Sequence, residues 1–412
     1  MNIPAEFDEI RPYLPEELPQ IFEELIADPT FQDIMTRIIP DVPVEILCAK
    51  LRQCKTNLEV QKTFFHKLLH DIMDQHSDGF DMDTSSLNDK TRNYTFVSNH
   101  RDIVLDPGFL SVGLLDNGFP NTVEIAIGDN LLIFPWIKKL VRVNKAFIVQ
   151  RTINRKQILE SSMRMSRYIH FALTQKKENI WIAQREGRAK DSNDRTQESV
   201  LKMLAMGGEG DYVDRLKELN IVPTSLSYEY DPCDYLKAME MQQKRDIEGF
   251  KKKPGGRFTK HADRYLGYKG HVHFQTAPCI NEELEAFRGL PKTEVFARTA
   301  SLIDHYIHLN YRLYPGNYIA CDLLEGNQHF ASRYTTEDVA RFNTYLQKKT
   351  GYDFASRQRR RIPAEMHADH VCQSGHQSSE SFGRMRYLLI LLLCTVVLVS
   401  CQEEYVYPQR CD

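Results

Sequence analysis

The sequence predicts an α/β fold: a sheet with helices on its faces and helical additions at its N-terminal and C-terminal ends. Three observations predict it. Short apolar runs alternate with longer amphipathic ones from Tyr94 to Gln275. They follow one another in the order strand, helix, strand, which places helices against a sheet. The flanking regions 1–90 and 291–354 carry apolar residues only at the three- and four-residue spacing of helices.

Composition narrows the function classes. The chain has 412 residues, 42% apolar and 26% charged, with a net charge of −3. This gives no electrostatic footprint for nucleic acid. Nine cysteines occur without a Cys-x-x-Cys pair, so the main body reads as a reduced, cytosolic-side protein rather than a disulfide scaffold. The acidic, proline-broken start "MNIPAEFDEIRPYLPEELPQ" has no signal-peptide character.

In residues 1–90, "EELPQIFEELI" and "NLEVQKTFFHKLLHDIMDQH" read as short helices punctuated by prolines. In residues 91–290 the strand candidates are "YTFVSN" (94–99), "TVEIAIG" (122–128), "AFIVQR" (146–151), "NIWIAQ" (179–184) and "IVPTSLSY" (221–228). "HVHFQ" (271–275) is a sixth, and "RKQILESSMRMSRYIHFALTQ" (155–175) is a long helix between strands. Residues 291–354, around "LIDHYIHLNYRLY", return to helical periodicity. Residues 355–384 form a polar linker without an apolar period. Within residues 385–412 the apolar run spans about 21 Å as a helix, against the roughly 30 Å of a bilayer core. Met385-Arg386 before it and "LVSC" after it resemble a lipoprotein signal, so the segment reads as a fused second reading frame or as a short tail anchor.

Chemistry gathers at "FVSNHRDIVLDPGFL". His100 follows a strand, where α/β folds place working residues beyond the carboxyl ends of strands. A carboxylate that fixes its tautomer would make it a general base. Asp102 and Asp106 are both candidates, and the longer reach favours Asp106. Asp106-Pro107 also reads as a helix start, with aspartate at the N-cap, so a purely structural role is the competing interpretation. Three further blocks add to the first. Arg151 ends "FIVQR"; Glu186, Gly187 and Arg188 follow the strand "NIWIAQ"; Pro223 lies within "IVPTS". Guanidiniums beside a glycine suit an anion pocket.

This ordered set resembles the glycerol-3-phosphate and lysophosphatidate acyltransferase family. That family has a His-x4-Asp block, a block ending in arginine, a Glu-Gly-x-Arg block and a proline within an apolar strand. The resemblance covers about residues 90–280, with "NHRDIVLD", "FIVQR", "REGR" and "IVPTS" as the four blocks. Five residues, not four, separate His100 from Asp106, and the third block lacks the aromatic-proline start of the lysophosphatidate branch.

The resemblance implies an acyltransferase-type mixed sheet. It also implies transfer of a fatty-acyl group from acyl-CoA or acyl-ACP to a hydroxyl of glycerol-3-phosphate or lysophosphatidate. His100 and Asp106 would be catalytic. Arg151 and Arg188 would hold the phosphate, with Glu186 and Gly187 shaping the pocket. Direct transfer needs no metal and no cofactor beyond the thioester co-substrate. The expected setting is the cytoplasmic face of a membrane, peripheral or tail-anchored. Another lysolipid or amino-lipid acceptor is the enzymatic alternative; a non-catalytic lipid- or carrier-binding protein is the other. "HADHVCQSGH" (367–376) offers His367, His370, Cys372 and His376 at a spacing that matches no closed zinc module. The basic stretch "KRDIEGFKKKPGGRF" (244–258) reads as a solvated loop or a contact for anionic headgroups.

Overall fold

The computed structural model describes residues 3–39, 42–132, 134–151, 155–189, 193–250 and 267–350. The 355–384 linker, the 367–376 histidines, the 385–412 apolar segment and most of the basic stretch at 244–258 lie outside these residues.

Seven strands form one sheet: β1 (Gly79–Asp83), β2 (Thr95–Ser98), β3 (Val123–Gly128), β4 (Ala146–Val149), β5 (Asn179–Ala183), β6 (Ile221–Tyr228) and β7 (His271–Thr276). Their order is β1-β7-β6-β2-β5-β3-β4. β6, β2, β5, β3 and β4 run parallel, with Ser98 opposite Ala183 and Thr224, and Gly128 opposite Val149. β1 and β7 are parallel to each other. Just past β7, Ala277 N donates to Pro223 O and Ile280 N to Ile221 O. The numbers rise on one chain as they fall on the other, so this pair runs against β6 and the sheet is mixed.

The six sequence-predicted strands all form, while β1 is additional. Its residues, "GFDMD", lie in the stretch read as helical. Five residues with two aspartates and no β-branched side chain carry almost no strand signal. Pairing with β7, Phe80 beside Val272 and Met82 beside Phe274, makes the strand.

The N-terminal helices are α1 (Leu18–Ile26), α2 (Pro29–Ile38), α3 (Val44–Gln53), α4 (Asn57–Val60) and α5 (Lys67–His76), with a π segment, Gln61–His66, joining the last two. Leu18, Phe22, Leu25 and Leu47 pack with Trp136 and Val143 of α7 (Pro135–Val143). Before α1, the Ile10 carbonyl accepts from Ile148 N of β4, which covers part of that edge strand. Arg142 fixes the same segment: its guanidinium donates to the Arg11 and Asp8 carbonyls and lies 4.1 Å over the Tyr13 ring. Burial lowers the Arg142 pKa from its ordinary value.

α8 (Arg155–Thr174), α9 (Glu198–Leu204) and α10 (Tyr212–Glu218) share a core with the sheet, through Tyr168, Ile169, Ile180, Ile221 and Leu216. α6 (Leu105–Asp116) follows β2.

The chain divides into two compact units. The first holds the sheet and the elements above, through Tyr311. The second comprises Ala189–Asn193, Ser227–Gly270 and the chain from Arg312 onward. Its described core joins α11 (Asp234–Asp246) to the later helices Pro315–Glu325 and Thr336–Thr350. Tyr230 stacks on Tyr345 at 3.9 Å, and the Tyr345 hydroxyl donates to the buried Asp234 carboxyl, whose pKa burial raises. No helix among the described residues is long and apolar enough to cross a membrane.

One side chain carries β2 out of the sheet. Asn99 Nδ2 donates to Leu226 O at 2.9 Å, and Leu226 N donates to Asn99 Oδ1 at 2.8 Å. The amide thus continues the β2–β6 ladder after the β2 backbone has turned away. Asn99→Ala would leave both Leu226 backbone groups buried and unsatisfied, an expected loss of about 2 kcal/mol or more. Denaturant unfolding measures it; a midpoint equal to wild type would show that the ladder does not need the amide.

Candidate active site

Ser98 ends β2, and the next six residues wrap around one carboxylate. Asp106 Oδ2 accepts from Arg101 N at 2.6 Å, from Asp102 N at 2.9 Å and from His100 Nδ1 at 2.9 Å. The Asp106 side chain is fully buried. An oxygen that already receives two backbone N–H bonds is an acceptor, so Nδ1 carries the ring proton and Nε2 carries the lone pair. Nε2 has no hydrogen-bond partner among the described residues, and the His100 side chain keeps 11% exposure. Trp181 of β5 meets the imidazole edge-on at 5.4 Å, while its indole N–H donates to Ser98 Oγ. The ring is therefore bounded by an aromatic on one side and oriented by a carboxylate on another.

The expected N-cap role belongs to a different aspartate. Asp106 lies inside the first turn of α6 rather than at its cap. Asp102 Oδ1 accepts from Val104 N at 2.9 Å and Leu105 N at 3.0 Å, satisfying amides at the helix start. Pro107 sits in the first turn, where its missing N–H costs nothing. Both aspartates of the block are thus engaged, and the fifth intervening residue is taken up in the turn that aims the Arg101 and Asp102 amides at Asp106.

The arginines separate into two groups. Arg188 Nη1 lies 4.0 Å from Asp102 Oδ2, and its side chain is largely covered. Gly187 before it has φ +70°, a left-handed conformation that favours glycine, and a Cβ there would meet nothing within 4 Å. Arg151, by contrast, lies beyond β4, which β5 and β3 separate from β2. Three strand spacings amount to about 14 Å. Its guanidinium is 3.3 Å from Glu186 Oε1, and both side chains are exposed. The structure therefore places Arg188 beside the His100–Asp106–Asp102 turn and pairs Arg151 with Glu186. All of these residues follow strands at the same carboxyl edge.

A third cluster escapes the sequence reading. Asp194, 4% exposed, lies 3.7 Å from Arg101 Nη1 and 3.8 Å from Arg185 Nη1. Neither carboxylate oxygen has a hydrogen bond among the described residues, so these contacts are between charges. The Arg101 guanidinium also lies 5.7 Å from the Tyr311 ring. Asp194 comes from the aperiodic stretch "AKDSNDRTQ", which offers no pattern to read. A cavity of about 530 Å³ opens elsewhere, beside β4, lined by Glu9, Asp129, Lys138, Arg142 and Gln150 among others. None of the residues around His100 lines it.

No family model matches the chain, and no curated protein sequence matches it. Among solved structures, the crystal structure of the 1-acyl-sn-glycerophosphate (LPA) acyltransferase PlsC from Thermotoga maritima is similar, at 12% identity. The match covers 72% of this chain and 96% of that one, with a TM-score of 0.37, a level of overlap that carries no argument about function.

Proposed function

We propose that the chain is an O-acyltransferase that moves a fatty-acyl group from a thioester to a hydroxyl of a glycerophosphate acceptor. The observation that carries the proposal is the His100 imidazole, held by Asp106 through Nδ1 with Nε2 unpartnered among the described residues. The four sequence blocks that resemble glycerolipid acyltransferases add the substrate class.

In this reading His100 Nε2 takes the acceptor's hydroxyl proton as that oxygen attacks the thioester carbonyl carbon. The C–S bond breaks, the ester forms, and the imidazolium returns the proton to the departing thiolate. Asp106 stabilises the imidazolium without taking its proton. No metal and no acyl-enzyme enters this route. Arg188 meets the acceptor phosphate first, because it follows the strand next to β2 and lies beside Asp102. Arg151 contributes only through its pairing with Glu186, a smaller role than the blocks imply. Acyl-CoA and acyl-ACP are both compatible donors.

A membrane surface fits the same edge. Val104, Phe134, Ile158 and Leu159 are large apolar side chains about half exposed, and they follow β2, β3 and β4. Apolar groups around an edge that handles acyl chains suit a peripheral contact with lipid, here placed at the cytoplasmic face.

Thiol release from palmitoyl-CoA, and from palmitoyl-ACP, in the presence of glycerol-3-phosphate or lysophosphatidate tests the proposal. His100→Ala should lower kcat by about 100-fold or more. Asp106→Asn should do likewise: the Arg101 and Asp102 amides would hold the asparagine oxygen where Oδ2 lies, and the neutral amide would no longer stabilise the imidazolium. Asp102→Asn should retain much of the activity, since asparagine also caps helices. Acceptor-independent release, or none with either donor, would overturn the enzyme assignment. Arg188→Ala should raise KM for the phosphorylated acceptor more than for the thioester; the opposite split would remove Arg188 from the phosphate site.

A further inference from the structure

The longest helical stretch of the N-terminal region brings two imidazoles to one carboxylate. His66 closes the π segment and His70 lies four residues on in α5, so both project from one face. Their Nε2 atoms lie 3.0 Å and 3.1 Å from Asp116, the former at Oδ1 and the latter at Oδ2. The rings are 4.5 Å apart and inclined at 59°. Only the His66 contact is aligned as a hydrogen bond. The three donor groups all lie within 4.8 Å of one another.

We propose that His66, His70 and Asp116 bind a divalent transition ion of the zinc class, with water completing the coordination. The site is independent of the acyltransfer chemistry. Two imidazoles and one carboxylate suit zinc, cobalt or nickel rather than magnesium or calcium, which favour all-oxygen sets. Donors about 2.0–2.1 Å from a common ion at tetrahedral angles are about 3.3 Å apart, close to the 3.0 Å and 3.1 Å between each imidazole and the carboxylate. The electrostatics point the same way. Asp116 is the last residue of α6, where the negative end of the helix dipole opposes its charge, and a cation there relieves both. Side-chain exposures of 32%, 36% and 40% leave a water-accessible face, so the ion would exchange with solvent. Three protein ligands describe an open site rather than a closed structural zinc. Lys67 does not compete, since its ammonium is paired with Asp71.

The ion would tie α5 to the far end of the helix whose first turn holds Asp106. Those helices already touch: a Cβ on Gly108 would lie 3.1 Å from Leu69 Cδ1.

Cobalt(II) and zinc(II) titrations of the full chain test the proposal. The comparison is made in a background where His367, His370 and His376 are alanine and Cys372 is serine, which removes the other histidine-rich segment. That background protein should bind one zinc, take up cobalt with visible d–d absorption and melt at a higher temperature with zinc. His70→Ala and Asp116→Asn should each abolish the bound equivalent and the thermal shift while the metal-free melting temperature holds. A background protein that binds no zinc, or a His70→Ala variant with undiminished binding, would overturn the proposal.

Discussion

Three N–H groups converge on one oxygen of Asp106, and the turn after β2 is organised by that convergence. Two of the donors are backbone amides, of Arg101 and Asp102, so the carboxylate shapes the chain before it touches the imidazole. Full burial strengthens these bonds, because no water competes for the oxygen. It also raises the penalty for leaving any donor unmatched. The His100 tautomer is therefore a by-product of backbone geometry: once the two amides are aimed inward, Nδ1 has one place to donate. Asn99 on one side and Asp102 on the other complete the frame, the first extending the ladder to β6 and the second satisfying the start of α6.

The strand sequence was legible because central strands here are buried on both faces and read as short runs poor in charge, as in "IVPTSLSY", whose eight residues are all buried. β1 was hidden because its strand character comes from its partner rather than its composition. The His100–Asp106 pair was legible from spacing and residue type alone. Its companion role was misassigned: Asp106-Pro107 looks like a cap, yet the helix begins at Leu105 and Asp102 meets the free amides. A local motif predicts which groups can bond, while the phase of the turn decides which do. The arginines at strand ends were legible as a set but not in their partners: Arg188 lies by Asp102, while Arg151 meets Glu186. Sequence order gives the strands a succession but not their lateral order, and β4 lies three places from β2. The Arg101–Asp194–Arg185 cluster had no periodic signal at all.

The two groups of charge at the carboxyl edge differ in kind. Arg151 and Glu186 are exposed, so their attraction is screened and their geometry is loosely held. Asp194 and Arg101 are buried and interact across a medium that screens poorly, which makes them a fixed source of field near the imidazole's strand. A loose exposed pair can follow a ligand, whereas a buried one can only pre-arrange the space. The edge thus combines a rigid centre with a compliant flank.

α6 spans twelve residues, about 18 Å as a helix, with one carboxylate in its first turn and another on its last residue. Neighbours grip it between those ends: Leu69 of α5 comes close at Gly108, and Met82 and Phe80 of β1 come closer still at Gly113. Most of the residues between are buried. A helix clamped at two points cannot slide along its axis without disturbing both contacts, so the buried carboxylate and the exposed one are held at a fixed separation.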